Sequence, residues 1–204
     1  MIVSLLDYGT GNLHSLTKAL EAHGAAVRIA SDPVAALDTD ALVLPGVGAF
    51  GAAAGRLAAG RADIVAALAD GFPCLGICLG MQLLFEDSEE APGAGLAFLA
   101  GRVRRLRAAR LPQMGWNDVE PCAEEGRFDP LFGDDGEPTV VYYANTFVAE
   151  PAPGEHVIGH TTYAGERFAA AVRKRNTWGV QFHPEKSAAS GLRMIGRFLV
   201  EASR

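Results

Sequence analysis

The run Pro73-Cys74-Leu75-Gly76-Ile77-Cys78-Leu79-Gly80-Met81-Gln82 sets a thiol in a Gly-x-Cys-x-Gly frame between an apolar run and the start of a helical pattern. Strand, tight turn and helix in that order form the cysteine counterpart of a nucleophile elbow, whose sharp corner lifts the nucleophile clear of a sheet. Gly76 and Gly80 lack a Cβ, so the corner can tighten and neighbouring backbone can approach. At a helix N-terminus, unpaired N–H groups and the helix dipole favour thiolate over thiol. The N–H of Leu79 would point toward an oxyanion formed on the attacked carbon. A buried, inert cysteine in an apolar corner is the competing reading of this segment alone.

A thiol nucleophile needs a general base, and the base needs an orienting partner. Gln181-Phe182-His183-Pro184-Glu185 offers both. His183 can take the proton of Cys78 and return it to a leaving group, while Glu185 accepts the other imidazole N–H and fixes the tautomer. Seen alone, the segment could be a surface His-Pro-Glu turn. Leu44-Pro45-Gly46-Val47-Gly48-Ala49-Phe50-Gly51 contains Gly-x-Gly-x-x-Gly after an apolar run, the form of a dinucleotide-binding loop. Pro45 intrudes at the turn, and the acidic residue expected after the next strand is missing. A glycine loop lining the pocket beside Cys78, with an oxyanion donor at Val47 or Gly48, fits better. Cys74 and Cys78 with His156 and His160 imitate a zinc pattern, but the two cysteines straddle an extended strand and should lie roughly 13 Å apart. The five arginines from Arg102 to Arg110 read as a solvated strand and turn, or as a dock for an acidic or phosphate-handling partner.

The elements that must position these groups follow from apolar spacing. Ile2–Leu6, Ala26–Ala30, Ala41–Leu44 and Pro73–Ile77 read as buried strands. Helical patterns over Asn12–His23 (Leu13, Leu16 and Leu20 on one stripe, Gly24 as stop), Ala52–Ala69 and Leu79–Phe85 alternate with them. This alternation predicts a mostly parallel sheet covered on both faces, with functional groups at its carboxyl edge. The second half is strand-like over Ala97–Arg107, Met114–Val119, Thr139–Phe147, His156–Thr162, Phe168–Arg173 and Thr177–Phe182, with a closing helix at Ser190–Ala202. The acidic stretch Cys122–Pro138 reads as a mobile surface loop. The expected architecture is an α/β fold: an open, mostly parallel sheet with helices on both faces and an antiparallel extension.

With 204 residues, 49% of them hydrophobic, the chain suits one compact domain that needs no metal or disulfide staple. A net charge of −6 argues against a dedicated nucleic-acid binder. Three cysteines are too few and too irregular for a secreted disulfide framework. No signal peptide is visible and no apolar run reaches the ~18 residues of a membrane span, so a cytoplasmic protein is expected.

Cys78 in Gly-Ile-Cys-Leu-Gly-Met-Gln, with His183-Pro184-Glu185, resembles the triad of class I glutamine amidotransferases. Further runs are similar to one branch, the glutaminase subunits of imidazole glycerol phosphate synthases in histidine biosynthesis. They are Asp7-Tyr8-Gly9-x-Gly11-Asn12-Leu13, Pro45-Gly46-Val47-Gly48-x-Phe50, Leu83-Leu84-Phe85-Glu86, Ser88-Glu89-Glu90, Pro112-Gln113-Met114-Gly115-Trp116-Asn117 and Glu185-Lys186-Ser187. The resemblance implies a flavodoxin-like fold in a single domain over residues 1–204. It implies that Cys78 attacks the side-chain amide of glutamine, with His183 as acid/base, Glu185 as its orienter, and Leu79 and Val47 as oxyanion donors. Gly48, Gln82, Glu90 and Thr146 would hold the substrate. Ammonia would pass to a (β/α)8-barrel cyclase subunit, met through Trp116, Asn117 and Lys186, with no metal or organic cofactor. Where such proteins commonly carry His-Ser-Tyr, this chain has Asn145-Thr146-Phe147; Thr146 keeps a hydroxyl, Phe147 loses one and Asn145 cannot serve as acid or base. The alternatives are a glutaminase serving another synthase and a catalytically silent partner-binding module, the latter opposed by the intact Cys78, His183 and Glu185.

Overall fold

The computed structural model describes residues 1–9, 13–133 and 139–204. In chain order its first half gives β1 (Ile2–Leu6), α1 (His14–Glu21), β2 (Ala26–Ala30), β3 (Ala41–Leu44), α2 (Phe50–Leu57), α3 (Arg61–Ala69), β4 (Cys74–Ile77) and α4 (Leu79–Gln82). The second half gives β5 (Gly101–Arg105), β6 (Gln113–Pro121), β7 (Ala123–Glu124), β8 (Arg127–Phe128), β9 (Thr139–Asn145), β10 (Phe147–Pro151), β11 (Val157–Tyr163), β12 (Glu166–Lys174), β13 (Thr177–Val180) and α5 (Ala188–Ala202).

Nine strands form one sheet in the order β2-β1-β3-β4-β13-β12-β11-β6-β9. The strands from β2 to β13 pair in parallel. Those from β12 to β9 extend the sheet antiparallel. A separate ribbon pairs β5 with β10. This is the expected architecture, and its cause is visible in the two-residue period of the strands. Val3, Leu5, Val43, Leu75 and Ile77 are buried with Leu16 and Leu20 of α1 and Ile195 and Phe198 of α5. Leu6, Leu42 and Leu44 are buried with Phe50 and Leu57 of α2 and Ile64 and Leu68 of α3. Among the described residues no helix is long and apolar enough to cross a membrane.

Five sequence expectations need correction. The helix expected over Ala52–Ala69 breaks at a 3-10 turn, Ala58–Gly60, where Gly60 packs so closely on Pro33 that a Cβ would lie 2.8 Å from the proline Cβ. The helix after β4 stops at Gln82, because Leu84 and Phe85 bond three residues back rather than four. The strand expected over Ala97–Arg107 shrinks to β5, since Ala97 (φ 54°) bends the chain before it and Gly101 (φ 116°) at its first residue. The strand expected over Thr139–Phe147 is two: Thr146 turns the chain out of the large sheet, and Phe147 begins β10 against β5. Within Cys122–Pro138, residues 123–127 are exposed as expected, in the β7–β8 hairpin, but 129–132 are anchored rather than loose. Buried Asp129 holds Arg173 (2.9 Å) and the Trp178 indole N–H (3.1 Å), and Leu131 and Phe132 enter the core. Residues 134–138 lie outside the described residues, as do Gly11 and Asn12 of the N-terminal motif and helix start.

The elbow depends on α4 resting directly on β3. A Cβ on Gly80 would sit 2.0 Å from the Leu44 carbonyl oxygen and 2.8 Å from the Leu44 Cβ, whereas one on Gly55 in α2 would meet nothing within 4 Å. Gly80→Ala is therefore expected to destabilise by about 1–3 kcal/mol through overpacking. Gly55→Ala should stabilise by about 0.4–1 kcal/mol. Urea unfolding of the two variants checks this; equal shifts would contradict the close approach.

Candidate active site

Parallel pairing of β4 with β13 sets Ile77 opposite Val180, so the residues following the two strands emerge side by side at the carboxyl edge. Cys78 caps α4 with φ 47° and ψ −103°, a backbone region that costs a non-glycine residue on the order of 1–3 kcal/mol. Two bonds hold it there: the Cys78 N–H donates to Val180 O (2.6 Å), and the Gln82 N–H donates to Cys78 O (3.1 Å). The elbow read from the sequence thus exists, with its strain at the cysteine.

His183 follows β13 and is nearly fully buried. Its N–H donates to Tyr142 O (2.8 Å), and its carbonyl accepts the Ser187 hydroxyl (2.6 Å). The same Ser187 Oγ accepts the Tyr142 N–H (2.9 Å), so the His-Pro-Glu turn is clamped to β9. The ring's Nδ1 lies 2.8 Å from Glu185 Oε1, which fixes the imidazole in the wall that it shares with Cys78. Burial opposes the imidazolium, but the hydrogen bonds to Cys78 and Glu185, together with their charges, outweigh it and push His183 up to about 10.

These groups open into a pocket of about 330 Å³ lined by the glycine loop (Gly46, Val47, Gly48), Cys78, Leu79, Gln82, Glu90, the Ala144–Phe147 corner, His183 and Lys186. A Cβ on Gly46 would lie 3.0 Å from both Cys78 Cβ and His183 Cε1, so this backbone forms the wall against the thiol and the imidazole. Glu90 Oε2 accepts the Phe50 N–H (3.1 Å) at the start of α2. Gln82 Nε2 donates to Phe147 O (3.0 Å) and to Gln181 Oε1 (3.1 Å). The structure therefore brings Cys78, His183, Glu185, Leu79, Val47, Gly48, Gln82, Glu90 and Thr146 to one place. Such an arrangement can form and hydrolyse a thioester, with the imidazole exchanging protons on one side and backbone lining the other.

Trp116 and Asn117 lie outside the pocket on β6. Trp116 is 56% exposed beside Met114 at 67%. Asn117 alternates to the other face, and its amide donates to Thr162 O (3.0 Å). Two residues escaped the sequence reading. Gln181 donates to Cys78 Sγ (3.5 Å), and Ser187 is the clamp just described. Gln181 was legible as the residue two before the histidine on an extended chain, and Ser187 as a hydroxyl four residues after it. Among the described residues no group of three or more His, Cys, Asp or Glu side chains could hold a metal ion.

A family model described as glutamine amidotransferase class-I matches residues 4–202. The chain is similar to the imidazole glycerol phosphate synthase subunit HisH of Thermus thermophilus, 46% identical over 194 residues that cover 94% of this chain and 93% of that protein. It is similar to the protein of the same name from Gloeobacter violaceus, 41% identical over 210 residues, covering 98% and 90%. A solved structure described as a glutamine amidotransferase shares the fold with a TM-score of 0.76 at 19% identity, covering 100% of both chains.

Since His183 titrates well above its usual 6.5, the stability its charge contributes is fully present below about 6.5 and is lost as pH rises through about 10. In Cys78→Ala the sulfur's share of that elevation disappears. NMR titration of the imidazole should place it near 10 in the intact chain and clearly lower in the variant. Ordinary titration near 6.5 in the intact chain would show that the pair does not form.

Proposed function

The chain belongs to the class I glutamine amidotransferase family, and from that premise we propose that it is the glutaminase subunit of an imidazole glycerol phosphate synthase in histidine biosynthesis. The observation that carries the reading is Cys78 beside His183, itself bonded to Glu185, in the wall of one pocket of about 330 Å³. Glutamine enters this pocket, held by Gly48, Gln82, Glu90 and Thr146. His183 takes the Cys78 proton as the sulfur attacks the side-chain amide carbon, and the N–H groups of Leu79 and Val47 receive the negative charge that develops on its oxygen. His183 gives its proton to the departing nitrogen, the C–N bond breaks, and ammonia leaves a thioester on Cys78. A water then loses a proton to His183 and attacks the thioester carbon; the C–S bond breaks, glutamate departs and His183 returns the proton to the sulfur. Glu185 keeps the imidazole aligned through both halves.

Residues 1–204 act as one amidotransferase domain in the cytoplasm, and no metal or organic cofactor is required. The ammonia goes to a (β/α)8-barrel cyclase subunit. Support for a partner at this edge comes from exposed Met114, Trp116 and Val140, apolar side chains along the β6–β9 pair that leads to the pocket corner, with Trp116 braced edge-on against Tyr142 at 6.0 Å. Trp116 is the anchor of that face and Lys186, at the pocket mouth, its charged margin. Asn117 supports it from behind through Thr162.

Cys78→Ala should lower glutamine-dependent product formation by at least about 10³-fold while leaving assembly with the cyclase and ammonia-dependent synthesis intact. The check is to assay both nitrogen sources with the reconstituted pair. Unchanged glutamine turnover in the variant would remove the nucleophile from the scheme.

A further inference from the structure

The five arginines between Arg102 and Arg110 separate into two groups in the structure. Arg102 and Arg104 are engaged internally: Glu150 takes Arg102 at 3.1 Å and Arg104 at 2.9 Å, and Glu166 takes Arg104 at 2.7 Å. Arg105, Arg107 and Arg110 are exposed and make no ion pair among the described residues. Their backbone is nevertheless held. The Arg105 N–H donates to Glu89 Oε2 (2.9 Å), the Arg107 N–H donates to the Glu166 carboxylate, and Arg110 O accepts the Tyr163 hydroxyl (3.1 Å). Three guanidinium groups without an ion pair among the described residues thus follow one another along a held segment, and Arg105 and Arg107 line a surface depression of about 530 Å³.

This cluster runs against the sign of the chain, whose net charge is −6. It lies at the edge that carries the pocket, since the Leu106 N–H donates to Thr146 O (3.0 Å) at the pocket corner. It also runs directly into Met114 and Trp116 along the chain. Clustered like charges without internal partners cost self-repulsion, which an oppositely charged surface relieves. The planar arginine fork matches carboxylates in particular.

We propose that Arg105, Arg107 and Arg110 form a cationic flank of the docking face, beside the apolar Met114–Trp116 patch, and engage carboxylates on the rim of the partner subunit. This inference rests on the reading of the chain as an ammonia-donating subunit. Rim charges of this kind act chiefly on the rate of encounter and its salt dependence. Phosphate groups are the competing occupant of such a cluster, and the test separates them.

The test is stopped-flow association of the full chain with the barrel cyclase across a salt series, for the wild type, Arg107→Glu/Arg110→Glu and Arg107→Gln/Arg110→Gln. The charge-reversed variant should associate about tenfold or more slowly at low salt, with a flattened salt dependence and a smaller effect on dissociation. The glutamine variant should fall between. Basal glutaminase activity and melting temperature should stay at wild-type values, because neither arginine touches the pocket. Unchanged association and salt dependence in a wild-type pair that does bind would overturn the flank alone. Failure of the wild-type pair to associate would overturn the subunit reading and the flank together. Saturable binding of inorganic phosphate to the chain alone, lost in the charge-reversed variant, would mark a small-anion site and also overturn the flank.

Discussion

The parallel pairing of Cys74–Ile77 with Thr177–Val180 is the constraint on which the rest of the molecule depends. It brings Gln181 within 3.5 Å of Cys78 across 103 positions of sequence and gives Val180 O the bond that holds the cysteine N–H. Closing so long a segment costs little more than closing a shorter one, because loop entropy grows only logarithmically. The intervening chain is also not idle. It builds the antiparallel extension, and its corner at Ala144–Phe147 returns to wall the pocket. The excursion that separates the thiol from its imidazole in sequence therefore furnishes the surface that faces them both.

Strain at Cys78 makes sense only against that background. A positive φ at a non-glycine residue persists where the surroundings fix it more firmly than the strain can relax it. Here β3, β4 and α4 are in backbone contact, with Leu44 pressed on Gly80 and Ile77 O pressed on Gly46. An ordinary corner would need side chains between these elements and would let the sulfur swing. Removing the side chains shortens the distances, and the shortened distances fix the sulfur's direction relative to His183.

What was legible in the sequence was whatever is local or has a period. The Gly-x-Cys-x-Gly corner, the two-faced strands and the helix stop at Gly24, which has φ 84°, all follow from neighbouring residues. The breaks were not legible, because each is caused by something distant in sequence. Gly60 interrupts a helical pattern to meet Pro33, and Thr146 ends a β-rich run because Phe147 has partners in Gln82 and Asn145. The acidic composition of 122–138 suggested looseness, yet a single carboxylate, Asp129, finds both a cation over an indole face and that indole's N–H. Composition registers the charge of such a residue but not its partners. The arginine run illustrates the same limit, since five similar residues divide into bound and free according to where Glu150 and Glu166 fall.

The glycine loop is tied to two opposite walls of the pocket through its two ends. At one end Gly46 lies against Cys78 and His183; at the other Glu90 accepts the Phe50 N–H, where α2 begins. Gly48 between them has φ 120°, so the segment contains a residue able to rotate while its ends stay fixed. A carboxylate at a helix N-terminus is held by the backbone N–H groups and the dipole. Glu90 Oε2 in this way tethers the loop that lines the thiol. The far wall of the pocket and the backbone at Val47 and Gly48 therefore belong to one tethered span rather than to two separate pieces.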